Sequence, residues 1–175
     1  MSEIKDIYVE ESGVIFGPFS PDRFLHLEKT DLYKSLGQGY SSVEFLFADG
    51  KGGKEKFIFL EAKSSSPRPA PAGADNENFD RFIEEVSVKF EDSFYLFLTA
   101  VLKRRASHEL ASGISAFKPS SSWIKFVLVI PNHETEWLAP LQEALERRLR
   151  KTVHLWNIKI VLMNKKIAEE HHIIR

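Results

Sequence analysis

Three side chains in two short runs could act together. Glu44 is the only charged residue in "VEFLFA", and the run "KFIFLEAK" ends in Glu61-Ala62-Lys63. Both runs are rich in Phe, Val and Ile, the composition of β-strands. In a strand, residues two apart share a face, so Glu61 and Lys63 point one way while Ile58, Leu60 and Ala62 point the other. Pairing the strands with Glu44 opposite Glu61 leaves a connection from Gly50 to Glu55, an ordinary hairpin length. Two carboxylates facing each other across a sheet repel unless something positive lies between them. A divalent cation is one solution, since Mg²⁺ takes one or two carboxylates together with water and phosphate oxygens. Lys63 could then hold a phosphate oxygen or assist an attacking water. The plainer alternative is that Lys63 neutralises the acids at a solvated strand end.

The spacing acid-x-Lys is uninformative alone, because it also occurs at Glu3-Ile4-Lys5 and Asp49-Gly50-Lys51. Only Glu61-Ala62-Lys63 ends an apolar strand, follows a strand with an isolated acid and precedes a long helix. Asp49 is a substitute acid in principle, but Asp-Gly in a hairpin connection is turn chemistry. His26, His108, His133 and His154 have no ligand spacing, and the adjacent His171 and His172 point apart. No Gly-x-Ser-x-Gly, phosphate loop or dinucleotide fingerprint is present.

The elements that must position these residues follow from periodicity. "DIYVEESGVIFGPF" predicts one or two short strands broken at Gly13 and Gly17. "SPDRFLHLEKTDLYKSLG" predicts a helix with Ser20 as N-cap, Pro21 at the first helical position and Gly37 as the stop; Thr30-Asp31 offers a restart. The hairpin of Glu44 and Glu61 comes next. "SSSPRPAPAGADNEN", 64–78, is a low-complexity segment expected to form a mobile loop. Phe79, Ile83, Val86, Phe90, Phe94, Phe97 and Val101 recur at helical steps, and the helix ends near "KRR". A second polar loop, 106–122, leads to "WIKFVLVI", interrupted only by Lys125, which fits a parallel strand buried on both faces. "EWLAPLQEALERRLRKTV" is amphipathic through Leu138, Leu141, Leu145 and Leu149, with Pro140 tolerable in a first turn. "NIKIVLM" supplies a last strand. The order is α/β with a mixed sheet flanked by helices.

At 175 residues the chain predicts a single domain, 1–175, with a substantial core. No apolar run is long enough for a membrane span, the acidic N-terminus does not read as a secretory signal, and the absence of cysteine excludes disulfides and thiolate metal sites. A cytoplasmic location is the expectation. The net charge of −1 hides an asymmetry. Residues 1–100 carry −7 and residues 101–175 carry +6. A cationic surface beside an acidic site is one reading of this, and ordinary solvated helices are the other. Lys103, Arg104, Arg105, Lys118, Arg147, Arg148, Arg150 and Lys151 are the basic residues concerned.

"VEFLFADG" followed by "FIFLEAKSSS" resembles the PD-(D/E)XK nuclease superfamily, the restriction-endonuclease-like fold. The likeness covers roughly residues 20–130 in element order and three positions in motif. It implies an αβββαβ core, here with an added helix and strand, and Mg²⁺- or Mn²⁺-dependent hydrolysis of phosphodiester bonds in nucleic acid, DNA first. Glu44 would take the place of the family's first Asp, with Val43 where the pattern has Pro. Glu61 would be the second metal ligand and Lys63 the motif lysine, which positions or deprotonates the attacking water. Glu28, in the first helix, is a further acid that many members use. The loops at 64–78 and 106–122 would gate the substrate, and a homodimer would suit a duplex cutter. The rival is a non-catalytic nuclease-fold subunit or adaptor in a larger complex, which the near-neutral charge favours.

Overall fold

The computed structural model describes residues 5–50, 55–71, 74–105 and 110–175. The centre of the hairpin connection, part of the Pro-rich segment, Glu3 and His108 lie outside them. β1 (Ile7–Glu11) and β2 (Val14–Phe19) form a separate antiparallel ribbon. Ser12 and Gly13 turn it with φ of 51° and 79°, the left-handed pair that a two-residue hairpin loop requires.

The stretch after Ser20 is not one helix. It runs through a 3₁₀ turn at Pro21–Arg23, a two-residue strand β3 (Phe24–Leu25), a second 3₁₀ turn at Leu27–Lys29 and a short α1 (Asp31–Ser35). Ser20 caps nothing; its hydroxyl donates to the Asp22 carboxylate instead. The Thr30 restart is the real N-terminus, because the Thr30 hydroxyl accepts from the Tyr33 N–H at 3.2 Å. Tertiary burial decides the outcome. Phe24 enters one core of the molecule and Leu27 and Leu32 are buried elsewhere, and an extended step at β3 lets Phe24 pair with Phe47 on the sheet edge.

β4 (Phe45–Asp49) and β5 (Lys56–Ala62) pair antiparallel with Phe45 opposite Leu60 and Asp49 opposite Lys56. Extended by one residue, this is the expected register of Glu44 against Glu61. The long helix α2 (Glu77–Val101) then crosses over to β6 (Trp123–Val129), which lies parallel to β5. Within the second polar loop a single helical turn, α3 (Ser112–Ser115), is buried at Ile114. After a 3₁₀ turn at Thr135–Trp137, α4 (Leu138–Arg148) and α5 (Arg150–Trp156) continue almost end to end, with Pro140 in the first turn of α4. β7 (Lys159–Met163) pairs parallel with β6, and α6 (Lys165–Glu170) follows. The sheet order β3-β4-β5-β6-β7 is mixed, with β4 antiparallel to its neighbours and β5, β6 and β7 parallel.

Both faces of the sheet are covered, and for that reason β6 reads as an unbroken apolar run. Phe57, Phe59, Phe126 and Leu128 face α2 and α4. Leu141, Leu145 and Leu149 complete that layer as the leucine stripe predicts. Phe45, Ile58, Leu60, Val127 and Val129 face the β1–β2 ribbon and the C-terminal Ile173 and Ile174. Among the described residues no helix is long and apolar enough to cross a membrane.

Candidate active site at the C-terminal end of β5

Glu61 lies on the α2 side of the sheet and is fully buried, with 0% of its side chain exposed. Two lysines converge on one of its oxygens. Lys89 Nζ donates to Glu61 Oε1 at 2.7 Å, and Lys63 Nζ lies 3.2 Å from the same atom. Lys89 also reaches Glu44 Oε1 at 3.6 Å, so its ammonium bridges the two carboxylates that the hairpin sets opposite each other. The structure therefore places Glu44, Glu61 and Lys63 together, as the strand periodicity requires, and adds Lys89 between the acids. Glu61 Oε2 is buried with no hydrogen-bond partner among the described residues.

Burial pushes the Glu61 carboxyl above its ordinary value, against the downward pull of Lys89 and Lys63 and with some upward push from Glu44. For Lys89, burial works to lower the ammonium pKa, but the bonds to Glu61 and Glu44 outweigh it and the value is raised. Lys89 keeps part of its side chain in solvent while Glu61 keeps none, so the desolvation cost falls on the carboxylate.

The backbone that presents Glu44 is fixed from two sides. The Val43 N–H donates to Ser93 Oγ of α2 at 2.8 Å in a fully buried bond, and His26 Nδ1 lies 3.2 Å from the Glu44 carbonyl. Burial lowers the His26 pKa, which suits a neutral ring donating from Nδ1. Ser93→Ala leaves the Val43 amide without an acceptor. We expect it to lower unfolding free energy by about 1–3 kcal/mol in urea titration and to loosen Glu44.

Glu28 sits in the 3₁₀ turn at Leu27–Lys29 rather than in a first α-helix, and it is exposed. It makes no ion pair with the lysines among the described residues, but its charge is felt at Glu11 and His26. Glu11, at the tip of the β1–β2 ribbon, is the acid that periodicity does not reveal. Its pKa is raised by partial burial and then by Glu44 and Glu28, with Lys89 opposing. Lys89 had a faint signal. It lies three residues from Val86 and four from Ser93, on the flank of the buried stripe of α2.

The donor set suits a hard cation. Glu44 and Glu61 offer carboxylate oxygens, one of them the unpartnered Glu61 Oε2, and Mg²⁺ needs only one or two carboxylates from protein. No group of three or more His, Cys, Asp or Glu side chains is gathered closely enough to hold a metal among the described residues.

The remaining expected residues are spread elsewhere. Asp49 closes the far end of β4, exposed and opposite Lys56. His133 is buried against Trp137 and pairs with Ser66 at 2.6 Å. Arg68 stacks on Trp137 at 3.4 Å, so the described start of the Pro-rich segment runs along 132–137 beside Lys63. The described part of the 106–122 loop packs through Phe117 on Phe57 and Phe97, toward the opposite end of β5 from Glu61, which is no place for a gate over this site. Arg148 is held by Glu84 and Glu91. It belongs to an ion-paired helix surface.

No protein-family model, no curated protein and no solved structure matches the chain.

Proposed function

We propose that the chain is a metal-dependent nuclease with a restriction-endonuclease-like core, acting on phosphodiester bonds of nucleic acid, DNA first. One observation carries the reading: the fully buried Glu61, its one oxygen held by Lys63 and Lys89 and its other left without a partner, at a strand end where Glu44 faces it. A buried carboxylate with an unsatisfied oxygen is costly to keep, and such cost is typical of a site built for chemistry. The antiparallel β4 and β5, the long α2 and the parallel β6 match the later part of the αβββαβ order that the resemblance implies, while its leading helix is replaced by turns, β3 and the short α1.

Glu44 and Glu61 would hold the Mg²⁺ or Mn²⁺, which supplies neutralisation of phosphate charge and a more acidic water. Glu61 is fixed in orientation by two lysines and by burial, and its unpartnered oxygen, itself buried, is the position the cation would take. Lys63 lies at the start of the loop after β5, part-exposed like Lys89, and its ammonium can hold a phosphate oxygen or orient the attacking water. Lys89 keeps Glu44 and Glu61 from repelling each other before substrate arrives.

Lys63→Ala is the direct test. With Mg²⁺ or Mn²⁺ and labelled single- and double-stranded DNA and RNA, wild type cleaves and Lys63→Ala is slower by roughly 100-fold or more. Its stability stays within about 1 kcal/mol, because Lys63 is part-exposed. Equal cleavage by both proteins would remove Lys63 from the site.

A second reading rests on Lys89. Its ammonium already lies between the two acids at 2.7 and 3.6 Å, so the cluster can stand as a structural ion-pair network in a non-catalytic subunit or adaptor. On that reading wild type cleaves nothing, and Mg²⁺ and Mn²⁺ leave the melting temperature unchanged in both wild type and Lys89→Met. On the nuclease reading the cations raise it, most in Lys89→Met, where nothing else separates the carboxylates.

A further inference from the structure

Lys125 is the one polar side chain in "WIKFVLVI", and the candidate active site makes no use of it. It stands on the sheet face opposite α2, half-buried, in the wall of a cleft of about 590 Å³. The β-strands supply an apolar floor in Phe47, Ile58, Val127, Val161 and Met163. The end of β2 and the C-terminal His171–Ile173 segment close the sides. That volume is in the ordinary range for a small-molecule site.

The cleft is separate from Glu61. Its β5 lining residues are Lys56 and Ile58, whose side chains alternate to the sheet face opposite the one that carries Glu61.

The charges around it are unbalanced. Lys125 is the register partner of Lys159 on the neighbouring parallel strand, so two ammonium-bearing side chains leave the same face side by side. Like charges in that arrangement are destabilising. Neither makes an ion pair among the described residues; Lys159 only approaches the Trp123 ring, at 5.8 Å. Lys56 on the rim is likewise without an ion pair among the described residues, and among them Asp49 is the only carboxylate that lines the cleft. Arg23 also lines it, but its guanidinium is spent on Glu55 at 2.7 Å and the Gly50 carbonyl at 3.0 Å. A lysine held at an aliphatic floor beside a second lysine calls for an anion whose remainder is apolar.

We infer that this cleft binds a small organic anion with an aliphatic body, its carboxylate or phosphate head at Lys125 and its chain on the floor of Ile58, Val127, Val161 and Met163. The inference is independent of the nuclease reading, since none of these residues touches Glu44, Glu61, Lys63 or Lys89 in an ion pair.

Isothermal titration with decanoate, decyl phosphate, decan-1-ol and inorganic phosphate tests it on the full chain. Decanoate or decyl phosphate is expected to bind at one site, and the better of the two identifies the head group. Decan-1-ol lacks the charge and inorganic phosphate lacks the chain, so each should bind at least about tenfold more weakly. Lys125→Met keeps the aliphatic stem and should weaken the better ligand about tenfold without lowering the melting temperature, since it relieves the repulsion from Lys159; Lys159→Met, which removes the neighbouring charge, should weaken it in the same direction. Glu61→Gln should leave this binding untouched while removing cleavage. The inference is overturned by absence of binding by both anions, by equal affinity for decan-1-ol or for inorganic phosphate, or by full affinity in both lysine variants.

Discussion

Glu61→Gln is expected to reduce phosphodiester cleavage by about 1,000-fold or more and, at neutral pH, to make the protein more stable than wild type. The two effects share one cause. The carboxylate is fully buried, and burial raises its pKa despite two lysines. A carboxyl whose pKa is higher in the folded than in the unfolded chain is easier to ionise after unfolding. Its contribution to stability is full below the unfolded value, near 4.5, and is lost as pH rises through the folded value. Gln has the same shape and no proton to lose. The stability gap between Glu61→Gln and wild type should therefore be smallest below about pH 4.5 and widen as the pH rises above it.

Urea titrations of the two proteins across that range measure the gap, with cleavage assayed on the same samples. A variant that is inactive and stabilised marks Glu61 as a residue held at a cost for chemistry. If Glu61→Gln is instead destabilised at neutral pH, the bonds from Lys63 and Lys89 outweigh burial, and the cluster is structural. Retained cleavage in a folded Glu61→Gln protein would remove the active site from this strand end altogether.

Phe126→Ala is expected to cost about 3–5 kcal/mol of unfolding free energy. Phe126 is fully buried in the middle of β6. It stacks on Phe90 of α2 at 4.8 Å, meets Phe59 of β5 edge-on at 5.6 Å and touches Phe94 at 6.1 Å. These rings interlock, so the space left by truncation cannot collapse without moving either the sheet or the helix. Tyr95, one residue along α2 and 55% exposed, is the control; Tyr95→Ala should change stability by no more than about 0.5 kcal/mol.

The consequence reaches the candidate site through the chain itself. Lys89 precedes Phe90, so the stacked pair Phe90–Phe126 sets the height at which the Lys89 ammonium meets Glu61. Phe126→Ala should accordingly slow cleavage beyond what its unfolded fraction explains. Denaturant melts and cleavage rates at a temperature where the variant is still folded separate the two contributions. A Phe126→Ala protein within about 1 kcal/mol of wild type would show that the aromatic layer is not the main tie between α2 and the sheet.

The hairpin that presents Glu44 and Glu61 was legible in the residues because side-chain direction in a strand has period two. Once one face must be apolar, register and turn length are constrained together, and the observed Phe45–Leu60 pairing is the result. The same holds for the buried stripe of α2, the leucines of α4 and the parallel placement of β6, each a local pattern with one satisfactory partner.

Three things were settled only by tertiary contacts. The stretch 20–37 has helix signals at both ends, yet it breaks into turns, β3 and α1, since Phe24 and Leu27 are drawn to opposite sides of the sheet edge. Lys89 and Glu11 reach the site from α2 and from the tip of the ribbon, 28 and 50 residues from Glu61 in sequence. Periodicity states which face of an element is apolar, but the residues at the edge of that face carry no mark of the element they will meet. The pairing of Lys125 with Lys159 is of the same kind: each lysine is unremarkable in its own strand, and only the parallel register of β6 with β7 sets the two charges side by side.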